Sequence, residues 1–97
     1  MSYDLQFLPS ALKEWQKLGS TVREQFKKKL AERLKVLRVP GDALHGMADY
    51  YKIKLRPVGY RLVYRVEAAA VTVTVVAVGK RERSEVYNAA VARTGKV

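Results

Sequence analysis

An almost wholly apolar run, VTVTVVAV at residues 71–78, constrains the fold of this chain more than any other feature. A strand of this composition must be covered on both faces or nearly so. It must also lie in the centre of a sheet, because an exposed edge strand of this kind would aggregate. Even with the alanines before it, the run has only about half the length that a transmembrane helix needs. The rest of the chain must therefore supply a sheet and its cover.

A first strand is predicted near the N-terminus, where Tyr3, Leu5 and Phe7 alternate with polar residues. Alternation with a period of two is typical of a strand with one buried face. Pro9 and Ser10 are expected to end this strand.

Two helices joined by a very short turn are predicted next. In the first, Leu12, Trp15 and Leu18 recur at three-residue spacing, Ser10 or its neighbour caps the start, and Gly19 ends the helix. The second carries a longer apolar stripe at three- and four-residue spacing, which must pack against a sheet. That stripe consists of Val22, Phe26, Leu30, Leu34 and Leu37.

Local signals mark both ends of the second helix. Thr21 and Glu24 have the spacing of a capping box, although Ser20 is an alternative cap. The helix is expected to run to about Arg38, because the sequence VPG at residues 39–41 breaks it.

Three more elements complete the predicted fold besides the apolar strand. Strands at residues 50–56 and 60–66 flank the loop PVG at residues 57–59, and a short C-terminal helix covers residues 82–92. The order is then strand, helix, helix, three strands, helix, with the helices on one face of the sheet. We expect one compact α+β domain spanning residues 1–97, with a three-stranded antiparallel sheet at its centre.

The predicted strand at residues 50–56 has its basic residues on one face and its apolar residues on the other. Lys52, Lys54 and Arg56 project from one face, while their apolar neighbours project from the other. Arg61 joins the basic face if the loop has two or four residues. An unbulged three-residue loop puts Arg61 on the opposite face, and Gly59 is suited to a correcting bulge because it tolerates a positive φ.

The charge of the chain indicates an anionic partner. Lys and Arg number 19 against 9 for Asp and Glu, which gives a net charge of +10 and a pI near 10.1. Residues 50–65 hold five cationic and four tyrosine side chains and no acidic residue. Such a stretch favours a polyanion, RNA or DNA first. An acidic protein partner and a merely basic surface are the alternatives.

The absence of cysteine excludes disulfides, thiol nucleophiles and thiolate zinc sites. The N-terminal sequence MSYDLQFLPS lacks the basic start and apolar core of a secretion signal. We predict a cytoplasmic protein with no membrane segment, cofactor or metal.

The basic residues suit either a passive phosphate-binding face or a phosphodiester-cleaving site. Attack by a ribose 2′-hydroxyl needs a base, an acid for the leaving oxygen and positive charge for the transition state. The single histidine, His45, lies in a predicted loop, where exposure to solvent or contact with phosphate is expected. A lysine acts as base only when neutral, and crowded positive charge favours that form. Arg61 and Arg81 suit clamps for phosphate oxygens, and Tyr87 suits stacking or proton relay.

Three separated segments resemble the RelE family of bacterial toxin–antitoxin systems over about residues 3–91. They are LKEWQKLGSTVREQFKKKL, LHGMADYYKIKLRPVGYRLVYRV and VGKRERSEVY. The resemblance implies a microbial ribonuclease-like fold and an endonuclease that cuts mRNA in the A site of the 70S ribosome. It also implies a RelB-like antitoxin, which neutralises the toxin and through which alone the toxin meets operator DNA to repress their shared operon.

The family's catalytic residues have counterparts in this sequence. By resemblance, Lys52 and Lys54 are the catalytic lysines, with Lys54 the base, and Arg61 is the transition-state clamp. Arg81 serves the leaving group and Tyr87 stacks on a base. Because arginine does not release its proton readily, we interpret Arg81 as stabilising charge instead of acting as an acid.

Further basic residues are predicted to contact nucleic acid. His45 stands where an arginine is expected from the resemblance, which puts one auxiliary RNA contact in question. The predicted RNA contacts are His45, Arg56, Lys80 and Arg83. The second helix offers a set that either holds ribosomal RNA or forms a solvated helix face. The set consists of Arg23, Lys27, Lys28, Lys29, Arg33 and Lys35.

Two other functions compete with the nuclease. One is a ParE-like toxin that acts on DNA gyrase, a class that shares the fold and antitoxin use but usually lacks the basic catalytic set. The other is a passive module that binds RNA or the ribosome without cleavage. If the protein is a nuclease, its weak acid–base groups predict dependence on the ribosome to orient mRNA, and hence little cleavage of free RNA.

Overall fold

The computed structural model describes residues 4–35, 43–44, 49–80, 89 and 92–93. In chain order the elements are β1 (Asp4–Phe7), α1 (Pro9–Gln16), α2 (Ser20–Arg33), β2 (Tyr50–Leu55), β3 (Tyr60–Glu67) and β4 (Thr72–Lys80). Single 3-10 turns, Arg56–Val58 and Ala68–Ala70, connect β2 to β3 and β3 to β4. Within these ranges, no helix is long and apolar enough to cross a bilayer.

All four strands form one mixed sheet in the order β1-β4-β3-β2. β2, β3 and β4 pair antiparallel, as predicted, and β1 adds a parallel strand to the far side of β4. The sequence predicts three strands in the sheet and gives no partner for β1. Parallel strands are joined by a long crossover, so no short turn between them marks the pairing in the sequence. Here both helices and the β2–β3 hairpin lie between β1 and β4.

The apolar strand β4 lies inside the sheet, which confirms its predicted central position. Its first seven residues, 72–78, are all buried. One face carries the main core, to which Ala11 of α1 and Phe26 and Leu30 of α2 contribute. The other face carries a small second core of Val63, Val76 and Ala77. Both faces of β4 are therefore covered, as its composition requires.

The edge strand β1 is only partly covered. Leu5 is 38% exposed and Phe7 is half-buried. Trp15 of α1 packs on this end of the core, with its ring centroid 5.2 Å from that of Phe7 and 6.3 Å from that of Phe26. Of the predicted buried face of the first strand, Phe7 is therefore better covered than Leu5, and Tyr3 lies outside the described residues.

The helix ends differ from the predicted ones. α1 begins at Pro9, after the N-cap residue Leu8, so Ser10 is not its cap. Proline suits this first position because its missing N–H would have no partner there. α2 begins directly after its N-cap Gly19, and no side chain caps it.

The predicted caps Ser20 and Thr21 are therefore wrong, since both lie within α2. Gly19 has extended backbone with φ −64° and ψ 155°, and together with Lys17 and Leu18 it links the end of α1 at Gln16 to the start of α2. α2 ends at Arg33, not Arg38, and residues 36–38 lie outside the described ranges. The predicted helix at residues 82–92 also lies largely outside them.

Candidate functional site

The β2–β3 hairpin places its basic residues on one face. Residues 56–59 form a four-residue loop that ends in Gly59, whose φ of 70° and ψ of 22° are left-handed. In the resulting register Lys54 lies directly opposite Arg61. Directly opposed residues of antiparallel strands share a face, so Arg61 joins Lys52 and Lys54. The four-residue alternative is confirmed, and no bulge at Gly59 is needed.

Arg61 is held in a defined position on this face. Its side chain is buried, with the residue only 6% exposed, and its Nη1 donates a hydrogen bond to the Tyr60 carbonyl at 2.9 Å. On its other side it is paired with Gly79 of β4, which carries no side chain. A buried arginine keeps its charge, so Arg61 supplies a fixed cation beside Lys54.

Lys52 and Lys54 alternate with buried apolar residues along β2. Both lysines are half-buried, whereas Tyr51, Ile53 and Leu55 are buried in the main core. This confirms that Lys52 and Lys54 project from the face opposite the apolar set. Arg56, predicted on the same strand face, instead lies in the 3-10 turn that follows β2. The two lysines therefore border the second core face, where Lys52 is paired with Val63 of that core.

A cationic groove runs between α2 and the end of β2. Its larger part is lined by basic side chains from both elements, together with the apolar residues Leu55 and Pro57. The cationic lining residues are Lys28, Lys29, Lys54 and Arg56, with Arg33 lining the adjoining part. Glu32 is the acidic residue of this lining. The structure thus brings Lys54 together with two of the helix lysines predicted to hold RNA.

The two arginines of α2 have structural contacts. Arg23 donates from Nη1 to the Leu18 carbonyl in the link after α1 at 3.0 Å, and to the carbonyl of Gln16, the last residue of α1, at 3.4 Å. Arg33 donates from Nη1 to the Lys52 carbonyl at 3.2 Å and to the Tyr64 hydroxyl at 3.1 Å. Its guanidinium also lies 5.9 Å from the centre of the Tyr64 ring. Both residues therefore hold elements together, whatever else they contact.

The lysines of α2 are exposed. Lys27 pairs with Glu24 at 3.3 Å, an exposed contact that contributes little to stability. Lys28 and Lys29 line the groove, and Lys35 is exposed just beyond the helix. Within the predicted ribosome-binding set, Lys28 and Lys29 are therefore the lysines that lie in the groove beside Lys54.

Lys80 does not lie on the sheet face that carries Lys52, Lys54 and Arg61. A bulge in β4 sets Val76 and Ala77 opposite Val63, and both belong to the second core. The bulge shifts the alternation of β4, so Lys80 is paired with Tyr60, which packs on the main core. Lys80 is exposed on the helix side of the sheet, opposite the face of Lys52 and Lys54.

Four of the predicted site residues lie outside the described ranges. They are His45, Arg81, Arg83 and Tyr87. Their roles stay predictions from the sequence and the resemblance.

An ion pair that the sequence analysis missed lies at the far end of the basic hairpin. Arg65 donates to Glu67 from Nε at 3.1 Å and from Nη2 at 2.6 Å, and from Nη1 to the Tyr50 hydroxyl at 3.3 Å. Hydrogen bonds from Arg65 and Thr74 lower the pKa of Glu67. Glu67 follows Arg65 by two residues in a strand, a spacing that was available as a signal. The charge of Arg65 is therefore countered, while Lys54 and Arg61 lie at the other end of the hairpin.

A second missed pair joins Glu14 of α1 to Arg93 near the C-terminus, at 2.8 Å. The two residues are 79 positions apart, and no sequence pattern links them. Burial raises the pKa of Glu14. Hydrogen bonds from Arg93 and the Val78 amide, together with the charges of Arg93 and Lys17, lower this pKa by a larger amount, so the net shift is downward.

Comparison with known proteins identifies the family. The family model described as ParE toxin of type II toxin–antitoxin system, parDE, matches residues 5–85. The mRNA interferase toxin RelE of Escherichia coli strain K12 is 62% identical over 93 residues, which cover 96% of this chain and 98% of that protein. The chain belongs to the RelE/ParE toxin family. The resemblance drawn from three sequence segments is thereby confirmed.

Solved structures of RelE share the fold. A mutant of E. coli RelE in the free state matches with a TM-score of 0.89 at 60% identity, covering 96% of this chain and 98% of that one. The toxin in the intact E. coli RelBE toxin–antitoxin complex matches with a TM-score of 0.81, also at 60% identity, covering 84% of this chain and 100% of that one. The α+β fold expected of a RelE/ParE toxin is confirmed.

Proposed function

We propose that this RelE/ParE toxin is an endonuclease that cuts mRNA in the ribosomal A site and so inhibits translation in the bacterial cytoplasm. The observation that carries the proposal is the pairing of Lys54 with the buried Arg61 across the hairpin, with Lys52 on the same face. The 62% identity to an mRNA interferase supports the same activity. It also favours the nuclease over a gyrase-directed toxin.

The proposed reaction is an intramolecular phosphoryl transfer. Neutral Lys54 accepts the proton of the ribose 2′-hydroxyl, and the 2′-oxygen forms a bond to the adjacent phosphorus. The bond from phosphorus to the 5′-oxygen of the next nucleotide breaks, and that oxygen takes up a proton from solvent water. The products are a 2′,3′-cyclic phosphate and a 5′-hydroxyl end. The positive charge of Arg61, which is paired with Lys54 across the hairpin, favours the neutral amine that the base needs.

Fixed positive charge supplies the electrostatic part of the reaction. The guanidinium of Arg61 is preset on the sheet and does not need to reorganise as charge builds on the phosphate oxygens. Lys52 adds charge on the same face. From the family resemblance we assign Arg81 to the leaving oxygen and Tyr87 to stacking on a base. Arg56, Lys80, Arg83 and His45 remain proposed auxiliary RNA contacts, of which Arg56 lines the groove.

The groove supports dependence on the ribosome. Lys28 and Lys29 extend positive charge from Lys54 along α2, which suits ribosomal RNA or the flanking mRNA backbone. The groove beside Lys54 is open to solvent, so the enzyme by itself holds a flexible RNA strand poorly in line for attack. The ribosome supplies that orientation, and free RNA is cut slowly.

We further propose a RelB-like antitoxin as partner, since the E. coli relative forms a RelBE complex. An acidic, partly disordered chain suits a surface of this charge. It neutralises the toxin either by covering the basic face or by displacing the C-terminal segment, and it carries the toxin to operator DNA.

Mapping of cleavage ends on a translated mRNA, with and without ribosomes, tests the nuclease. Cuts inside A-site codons that require ribosomes are expected. Replacing a general base costs about 10²- to 10⁴-fold in rate, so Lys54→Ala should lower single-turnover cleavage by that factor. Lys13→Ala is the matched control, because Lys13 is an exposed lysine on α1, away from the site.

Two outcomes would contradict the proposal. Translational inhibition that persists unchanged in Lys54→Ala and Arg61→Ala would indicate a passive ribosome-binding module. DNA gyrase poisoning without mRNA cuts would indicate the gyrase-directed alternative.

A further inference from the structure

The backbone groups along the β1 side of β4 have different hydrogen-bond partners beyond the end of β1. The Leu8 amide donates to the Val75 carbonyl at 3.0 Å, and the chain then turns into α1. Next along β4, the Val76 carbonyl accepts from Arg93 Nη1 at 2.9 Å, and the Val78 amide donates to Glu14 Oε1 at 3.0 Å. One side-chain pair thus supplies the donor and the acceptor that a neighbouring strand would supply.

The two side chains also bind each other. Arg93 Nη1 donates to Glu14 Oε1 at 2.9 Å, and Arg93 Nη2 donates to Glu14 Oε2 at 2.8 Å. This two-pronged geometry fixes direction as well as distance. The side chains are 23% and 32% exposed, so water competes less than at an open surface. By contrast, the pair of Lys27 with Glu24 is 59% and 64% exposed and makes one contact.

Ala89, which lies four residues before Arg93 in the C-terminal segment, contacts the face of Lys52 and Lys54. Ala89 packs on the second core of Val63, Val76 and Ala77, and Val63 is paired with Lys52. Arg93 and Ala89 therefore attach the same segment at two points, one on the edge of β4 and one on this face.

We propose that Glu14 and Arg93 are positioning residues for mRNA cleavage. Their pair, locked to Val76 and Val78, holds the C-terminal segment against the face of Lys52. Neither side chain contacts the substrate, and both act through the segment that they attach. The inference rests on the proposed nuclease function.

Single-turnover cleavage on programmed ribosomes tests this, with Arg93→Ala, Glu14→Ala and the double variant. A misplaced segment should lower the maximal rate by about tenfold to a hundredfold and leave the ribosome concentration for half-maximal rate within about threefold. Because the residues act as one unit, the double variant should be no slower than either single one. Arg93→Lys, which keeps the charge and one donor, should recover part of the rate.

Amide exchange at Val78, followed by NMR in the free protein, reports the pair without any catalysis. Exchange should quicken in Arg93→Ala and Glu14→Ala, and stay slower in Glu14→Gln, which keeps an acceptor for the Val78 amide. Lys13→Ala and Glu24→Gln are controls on the two helices, and both should match wild type in rate and exchange.

Three results would overturn the inference. They are wild-type cleavage in variants whose Val78 exchange has quickened, unchanged exchange in Arg93→Ala, and a double variant whose loss equals the product of the single losses. A wild-type protein that cuts no mRNA on ribosomes would remove the proposed function and the positioning role with it. Active wild type with unaffected variants removes the positioning role alone.

Discussion

Replacing Gly59 by alanine tests the loop that places Arg61 opposite Lys54. Gly59 has a left-handed φ of 70°, and an added Cβ would meet no atom within 4 Å. The cost is therefore conformational, about 1–2 kcal/mol for an L-residue in this region. About 0.4–1 kcal/mol is recovered because alanine restricts the unfolded chain. The net expectation is a loss of about 1 kcal/mol, or about 4–8 °C in Tm for a domain of this size.

Gly79→Ala is the matched control for this change. Gly79 lies in β4, has no left-handed φ, and offers the same open space to a Cβ. The same methyl group should therefore stabilise the fold there by about 0.5–1 kcal/mol, since glycine in a strand is costly. Gly59→Asn should lose less than Gly59→Ala, because asparagine enters the left-handed region more readily.

The assay is urea unfolding of the three variants beside wild type. The m values should be equal, because a changed m value would indicate a changed unfolded state. If Gly59→Ala were as stable as Gly79→Ala, the loop would not need a left-handed residue at its end. The four-residue hairpin, and with it the opposition of Arg61 and Lys54, would then lose its support.

Three further predictions concern stability. Val71 has a φ of 51°, which a β-branched residue adopts with strain, so Val71→Asn should raise the unfolding free energy by about 1 kcal/mol in urea. The pKa of Glu14 is lowered in the folded state, so its contribution is present above its ordinary pKa of about 4.5 and is lost as pH falls through the folded pKa. Between pH 6 and pH 3, the free energy of unfolding should therefore fall less steeply in Glu14→Gln than in wild type. An equal slope in the two proteins would contradict this. Arg33→Met removes hydrogen bonds to the Tyr64 hydroxyl and the Lys52 carbonyl and should cost about 1–3 kcal/mol in urea, whereas Lys35→Met should cost little.

Much of the candidate site follows from the sequence. Alternation in residues 50–56 puts Lys52 and Lys54 on one face, and this holds because strand side chains alternate wherever the strand lies. Whether Arg61 joins them depended on loop length, for which the sequence allowed several answers. The observed register gives one of them.

The helix boundaries were less predictable. Ser10, Ser20 and Thr21 are good capping residues by type, but α1 begins one residue before Ser10, and α2 begins at Ser20. Capping preferences contribute about 1 kcal/mol each, which the packing of Phe26 and Leu30 in the core can override.

The sequence by itself determined the apolar centre of the sheet, the two faces of the basic hairpin and the family. The first two depend on local periodicity and residue type, which act over a few neighbouring positions, and the family follows from the similarity of three separated segments. Only the tertiary structure decided that β1 joins β4, that a bulge at Val76 turns Lys80 away from Lys54, and that Glu14 meets Arg93. Each of these results from contact between segments far apart in the chain, and their free energies arise only once the sheet has assembled.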